Sequence, residues 1–377
     1  MTPAASAQTP EQSPEQPKGI RSNPEESGGS QENSSPANKI KCAFIGIGRI
    51  ASILEDDPLR EKPCTHAGAV KENPDTVISA GCDIKPERRE LFSKKWNCPV
   101  FEDPAEMLKK INPDIVFIAT WPDSHLEMVQ KAITQGVKVI VCEKPLADKL
   151  GKAKKIALYH KKGAAKIITN HERRYSNDYV LAKKRIDEKT YGELLSISAF
   201  LYMGKTKRII DVMWHDGTHL ADIIMYFTGS VLKKWKIAGN IKKGKGTAFI
   251  TAYTKSKKAG KTPEDNLRPQ QLARREIPVI IQCGAEREHL TFSLELSFES
   301  GLIKIGNGIY EEWKSEKSPF YTGFNSLVLT ETPQFEKTGY FENMVKDAVK
   351  AFKEPDYTPV STAVHGYNAV KFLSSLK

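Results

Sequence analysis

The chain has six cysteines, at 42, 64, 82, 98, 142 and 283, and no two form a C-x-x-C pair. Cys42 and Cys142 stand inside apolar runs. They read as buried thiols of a reducing compartment, so a cytoplasmic protein without a disulfide framework is expected. No apolar run approaches the ~20 residues that a membrane-spanning helix needs. The longest, Ile115–Ala119 and Val137–Cys142, have strand length, and no membrane partner is expected. The opening MTPAASAQTP lacks a basic n-region and an apolar core, so a secretory leader is not expected. Internal repeats are lacking too. The basic clusters Lys183–Arg185 and Lys242–Lys245 have no interleaved aromatics, which argues against a nucleic-acid platform.

What remains is a chain of 377 residues with 39% hydrophobic and 27% charged residues. That is too long for one ordinary core and suggests two domains plus a tail. Residues 1–38 are rich in Pro, Ser, Glu, Gln and Asn and are expected to be disordered, because they cannot bury enough surface to offset ordering entropy. The net charge is +11. A lysine-rich solvated surface explains it, and attraction to an anionic ligand such as a nucleotide sugar competes with that explanation.

From Lys39 short apolar runs alternate with amphipathic segments. Strands are expected at Ile40–Ile45, Val77–Cys82, Asp114–Thr120, Val137–Cys142 and Lys166–Thr169. Pro86 opens a helix. Asp103–Glu106 and Ser124–Glu127 read as capping boxes, and Gly136 as a helix stop. The pattern predicts βαβ units and a parallel sheet covered on both faces over 39–168. Residues 169–377 read differently. Helices are expected at Tyr175–Ile186 and Trp214–Phe227, and a strand at Leu194–Met203. Further strands fall in 231–307, and the tail from Phe341 is helical. Strands with little helix between them predict an α+β domain with a mainly antiparallel sheet.

Four constellations carry chemistry. Gly46-Ile-Gly48-Arg49-Ile50-Ala51, directly after the first strand, is G-x-G-x-x-A. Its glycines suit a tight turn and close approach to a pyrophosphate, with a helix N-terminus facing the anion. Asp83 ends the second strand, where a carboxylate would bind ribose hydroxyls and favour NAD over NADP. Arg88 and Arg89 could rescue a 2′-phosphate, and Glu55–Thr65 reads as an insertion that lengthens the spacing. Glu143-Lys144-Pro145 follows a strand at the carboxyl edge, where a lysine can polarise a hydroxyl. In Trp214–Asp222, His215, His219 and Asp222 share one face of a regular helix. Acid/base chemistry at His219 is preferred there over helix packing, and a zinc pair lacks a third ligand.

Together these features resemble the Gfo/Idh/MocA oxidoreductases. The marks are GIGRIA (46–51), ATWPDSH (119–125), EKPLA (143–147), NHERRYSNDY (170–179), GTHLADIIMYFTG (217–229) and LELSFESGLIKI (294–305). The resemblance implies a Rossmann domain followed by an α+β domain whose open sheet forms a homo-oligomer, a dimer or tetramer. It implies that Lys144 and His219 are catalytic, with His215 and Asp216 beside them. Thr120, Trp121, Pro122, His125, Glu143 and Lys144 would line the cofactor crevice. Arg174, Tyr175 and His215 would lie near the substrate, with Asp222 supporting them, and no metal is implied. Two departures stand out. His215 occupies the position where many members carry the first Asp of D-x-G-x-H, and Trp121 is inserted in the A-T-P motif. The implied reaction is hydride transfer between NAD, or NADP, and a secondary alcohol carbon of a sugar, polyol or nucleotide sugar. Lys205, Lys207 and Arg208 are candidate phosphate contacts. An NAD-dependent glycoside-cleaving enzyme and a non-catalytic NAD-binding regulator are the alternatives.

Overall fold

Five of the six residues of the first strand, IKCAFI, are buried. A strand buried on both faces belongs at the centre of a parallel sheet with helices on either side, and that is where the computed structural model has it. Residues 39–204, 207–255, 276–330 and 333–376 are described. The tail 1–38 and Lys205 lie outside them.

The first layer runs β1 (Ile40–Ile45), α1 (His66–Glu72), β2 (Thr76–Cys82), α2 (Pro86–Trp96), β3 (Val100–Phe101) and α3 (Pro104–Ile111). It continues through β4 (Ile115–Ile118), α4 (His125–Thr134), β5 (Val139–Cys142), α5 (Leu150–Lys161) and β6 (Lys166–Thr169). The strands pair in parallel in the order β3-β2-β1-β4-β5-β6. Successive side chains serve opposite faces. Phe44, Ile115 and Val139 enter one core, and Ala43, Val116 and Ile140 the other. Local chemistry sets the helix ends. Asp103 accepts hydrogen bonds from the Ala105 and Glu106 amides, and Asn97 and Asn112 close α2 and α3 in the left-handed conformation.

Two expectations need correction. Ser124 does not cap α4; its hydroxyl donates to Thr120 Oγ1 and to the Trp121 carbonyl. Nor does one regular helix follow the glycine loop. A turn through Ser52 and a 3₁₀ turn at Ile53–Asp56 come first. The chain then loops out and returns at α1, where the His66 and Ala67 amides donate to the Ile50 and Ala51 carbonyls. The insertion therefore splits a helix in two, and α1 stacks on the turn that the loop left behind.

The second layer runs α6 (Asn177–Asp187), β7 (Leu194–Tyr202), α7 (Ile209–Val212), a π-helical turn at Met213–Gly217, and α8 (Thr218–Thr228). The strands β8 (Lys233–Ala238), β9 (Thr247–Lys255), β10 (Glu276–Gly284), β11 (Thr291–Phe298), β12 (Gly301–Gly306), β13 (Ile309–Lys317) and β14 (Asn325–Leu329) follow. With β7 they form one sheet in the order β14-β13-β12-β11-β7-β10-β9-β8. It is antiparallel apart from the β7–β10 pair. Its inner face packs on α8 through Leu220, Ile223, Ile224 and Phe227.

The last two helices, α9 (Tyr340–Lys353) and α10 (Ala363–Ser374), return to the first sheet. Phe341, Met344, Val345 and Ala348 of α9 enter the core under β1 and β4. Full burial of one such Phe or Met side chain contributes about 1.5–3 kcal/mol. In α10, Val370 joins the core on the other face of the first sheet, while Phe372 joins that of the second. Among the described residues no helix is long and apolar enough to cross a membrane.

Candidate active site

The strand order reverses between β1 and β4, so their carboxyl ends diverge into a crevice, the usual ligand position in such sheets. Gly46 stands there at φ +83°, and a Cβ on it would lie 2.8 Å from the Ala119 carbonyl and the Thr120 amide. Any side chain is excluded by conformation and by space. The Gly46 amide donates to the Cys82 carbonyl and the Ile47 amide to Asp83 Oδ2 at 3.2 Å. The amides of Gly48, Arg49 and Ile50 donate to nothing among the described residues. Three open N–H groups on a turn held close by Gly46 and Gly48 form a cradle for an anionic phosphate, so these residues fit a dinucleotide. The Arg49 side chain is exposed, and that of Ile50 packs on the core.

Asp83 is buried at the end of β2. Its Oδ2 also accepts from Arg88 at 3.2 Å, and its Oδ1 from the Lys85 amide at 3.0 Å. Arg88 reaches over the loop, with Nη1 3.3 Å from the place of a Cβ on Gly48. Arg89 instead binds the Asp83 carbonyl and Glu102. A groove of about 420 Å³ runs along this edge, lined by Ile47, Ser52, Arg88, Phe92 and Lys95 among others.

Across the crevice, Glu143 and Lys144 follow β5. Lys144 is partly exposed, and its Nζ donates to the His215 carbonyl at 3.0 Å. Glu143 does not line the crevice as expected. It is buried beneath, where Oε1 meets His66 Nε2 at 2.8 Å and Asn170 Nδ2 at 2.6 Å, and Oε2 accepts from the Lys144 amide. Burial alone would raise this carboxyl. The hydrogen bond and charge of His66, with Asn170 and Lys144, outweigh it and hold the group at about 2. His125 is likewise buried, bridging the Thr120 and Leu146 carbonyls at 3.1 and 3.2 Å. It braces two crevice loops from behind. Pro122 is half-buried and Trp121 is 81% exposed.

The π-helical turn changes the expected histidine stripe. Its wider winding precedes α8, so His215 and His219 do not keep the α-helical offset that one shared face requires. The His215 side chain is 59% exposed and bonds Asp216 at 2.7 Å, whereas His219 is buried. Burial raises the Asp216 carboxyl, but the His215 hydrogen bond and the Lys144 charge bring it below its ordinary value. Burial lowers the His219 imidazole well below its ordinary value, helped by the charges of Lys144 and Arg173. His219 Nε2 lies 3.6 Å from Glu172 Oε1.

Arg174 and Tyr175, expected at a substrate entrance, lie inside the protein. Arg174 makes two bonds to Asp222, Nε to Oδ2 at 2.7 Å and Nη2 to Oδ1 at 2.8 Å. His171 Nδ1 is 3.0 Å from the same carboxylate. Burial raises the Asp222 carboxyl, but Arg174 and His171 outweigh it and leave the group well below its ordinary value. The Tyr175 hydroxyl donates to Asp347 at 2.8 Å. The residue missed from the sequence is Glu172, which sits between these two groups of charges. Arg208 is engaged by Asp211. Among the described residues no cluster of three His, Cys, Asp or Glu could hold a metal.

Comparison with known proteins agrees with this geometry. The profile of the Gfo/Idh/MocA group, described as an oxidoreductase family with an NAD-binding Rossmann fold, matches residues 40–171. A scyllo-inositol 2-dehydrogenase (NAD(+)) of Bacillus subtilis (strain 168) is 28% identical over 167 residues, 43% of this chain and 44% of that one. An inositol 2-dehydrogenase of Rhizobium meliloti (strain 1021) is 28% identical over 159 residues, 41% of this chain and 43% of that one. The match thus spans less than half the length of these relatives. The fold extends further. The crystal structure of scyllo-inositol dehydrogenase from Lactobacillus casei with bound NAD(H) and scyllo-inositol superposes with a TM-score of 0.65 at 16% identity, covering 89% of this chain and 95% of that one.

Proposed function

We propose, from the membership of residues 40–171 in the Gfo/Idh/MocA oxidoreductase family with its NAD-binding Rossmann fold, that this protein transfers hydride between NAD and a secondary alcohol carbon of a sugar or polyol. One observation carries the reading. The glycine turn at Gly46–Ile50, with the open amides of Gly48, Arg49 and Ile50, lies at the carboxyl edge of the same parallel sheet as Lys144. In the chain's division of labour, 39–168 holds the dinucleotide and 169–377 supplies the substrate side and the assembly surface. The protein works in the cytoplasm as a homo-oligomer.

The bound nicotinamide supplies or accepts the hydride. The chain does the rest. The cradle amides and Asp83 would hold the pyrophosphate and the ribose. Lys144, tethered to the His215 carbonyl, would offer a positive charge to the substrate oxygen, which becomes negative as its proton leaves and before hydride loss turns it into a carbonyl. The hydroxyl proton would be managed at His219 and the Glu172 carboxylate beside it, acid/base work that contributes about 10²–10⁴-fold. Asp216 and exposed His215 border the substrate, and Trp121 overhangs the crevice mouth.

Titration of the purified protein with NADH and then NADPH, read by tryptophan fluorescence, tests the reading. We expect quenching by NADH, weaker binding of NADPH, and NADH affinity retained in Lys144→Ala. Preference for NADPH would transfer the adenosine contact from Asp83 to Arg88. No binding of either cofactor by calorimetry would remove the proposal.

A further inference from the structure

Glu172 lies on the 3₁₀ turn Glu172–Arg174 that follows β6, and the topology of the sheet brings that turn against α8. One carboxylate oxygen, Oε1, is 3.1 Å from Arg173 Nη1 and 3.6 Å from His219 Nε2. The other, Oε2, makes no hydrogen bond among the described residues, and the side chain keeps 25% of its surface exposed. His219 is closed in at 3% exposure, and its Nδ1 is buried without a partner. A buried N–H left unpaired is rarer in folded proteins than an unpaired acceptor. The ring proton therefore belongs on Nε2, facing the carboxylate.

We infer that Glu172 is the proton acceptor of the site and that His219 is a neutral hydrogen-bond donor to the substrate oxygen, an assignment that rests on the oxidoreductase reading above. In the oxidising direction the O–H proton passes to Glu172 Oε2, and the O–H bonding pair becomes the second C–O bond. The C–H hydrogen leaves with its two electrons to the oxidised nicotinamide dinucleotide, the co-reactant. Glu172 then returns its proton to water through its exposed edge.

The surroundings act in the same sense. Burial and the Lys144, Arg173, His171 and His215 charges keep the imidazole neutral. Burial raises the Glu172 carboxyl. Arg173 and Lys144 oppose this, and Glu143 and Asp216 add to it, leaving the group above its ordinary value. Tyr179 of α6 and Tyr340 of α9 also face this carboxylate. Both shifts favour a neutral imidazole beside a carboxylate whose affinity for a proton is raised.

Long-range proton–nitrogen NMR of the full chain carrying ¹⁵N-histidine tests this without substrate, with His219→Gln to assign the signals. Wild type should show His219 protonated at Nε2. Its ring signals should sense one titration step above the ordinary glutamate range, and that step should vanish in Glu172→Gln. Three results would each overturn the inference: an Nδ1–H ring, no step above that range, or a step that persists in Glu172→Gln. If Glu172→Gln does not fold, Glu172→Asp replaces it, and an unmoved midpoint there has the same consequence. NADH quenching on the same samples separates the two claims. Lost binding in wild type removes the functional reading, whereas intact binding with the wrong tautomer removes only the role of Glu172.

Discussion

At Glu143 a carboxylate is buried between the His66 imidazole and the Asn170 amide, and its free oxygen holds the amide of Lys144. The group keeps its charge through those partners, and Lys144 is aimed by them. Removing one member of a buried pair costs about 3–5 kcal/mol, so Glu143→Gln should lose stability of that order near neutral pH. The sign of the pH dependence follows. The folded value of about 2 lies below that of the unfolded chain, so the stabilisation is present above the unfolded value and is lost as pH falls towards 2. Urea unfolding over a pH series should show the gap between wild type and variant narrowing across that window. A gap constant in pH would mean that Glu143 acts by shape alone. The Glu-Lys-Pro motif located the lysine, but the burial of its glutamate is set by His66 and Asn170, which lie 77 and 27 residues away in sequence. Arg174 and Glu172 were beyond reading for the same reason. In the run His-Glu-Arg-Arg nothing local says which charge meets Asp222 and which faces the crevice.

Element boundaries were legible wherever one residue carries the reason. Pro86 starts α2, Asp103 caps α3, and Gly136 follows α4 at φ +77°. They were illegible where winding or a distant partner decides. The π-helical turn before α8 needs one more residue per hydrogen bond than an α-turn, and the sequence MWHDG carries no mark of that. The insertion was visible as excess length, but its docking was not. Glu61 within it accepts from the Thr338 amide at 3.0 Å and from the Gly339 amide at 3.3 Å, at the start of α9. A carboxylate there takes up open amides and complements the helix dipole. Glu61→Ala should therefore lower stability by about 1 kcal/mol, with Glu61→Gln recovering part of it, in urea unfolding. An unchanged Glu61→Ala would make the insertion a passive loop and leave the position of α9 to its buried face.

In the whole molecule the two faces of the second sheet are unequal. Alternation buries Ala248, Ile250 and Ala252 of β9 and turns Phe249 and Tyr253 outward. In β10 it buries Val279 and Ile281 and turns Pro278 and Ile280 outward. Phe249, Tyr253 and Ile280 are 43, 40 and 48% exposed, and Phe249 pairs with Gln282 and Tyr253 with Pro278 across the ladder, so they share one patch. Exposed apolar side chains grouped on a sheet mark an association surface more often than a solvated one. A sequence can show this alternation but not which face the helices cover, because α8 reaches the sheet through contacts with no local signature. This patch is the surface on which the proposed homo-oligomer would assemble. Sedimentation velocity should give a species of two or four copies, and Phe249→Glu with Ile280→Glu should shift it towards monomer. Both side chains lie on the face away from α8, so NADH binding should persist in the separated chains. A wild type that sediments as a monomer would leave this face without a partner of its own kind. A double variant that separates and also loses NADH would mean that assembly reaches the cofactor crevice, and that the first sheet depends on the second.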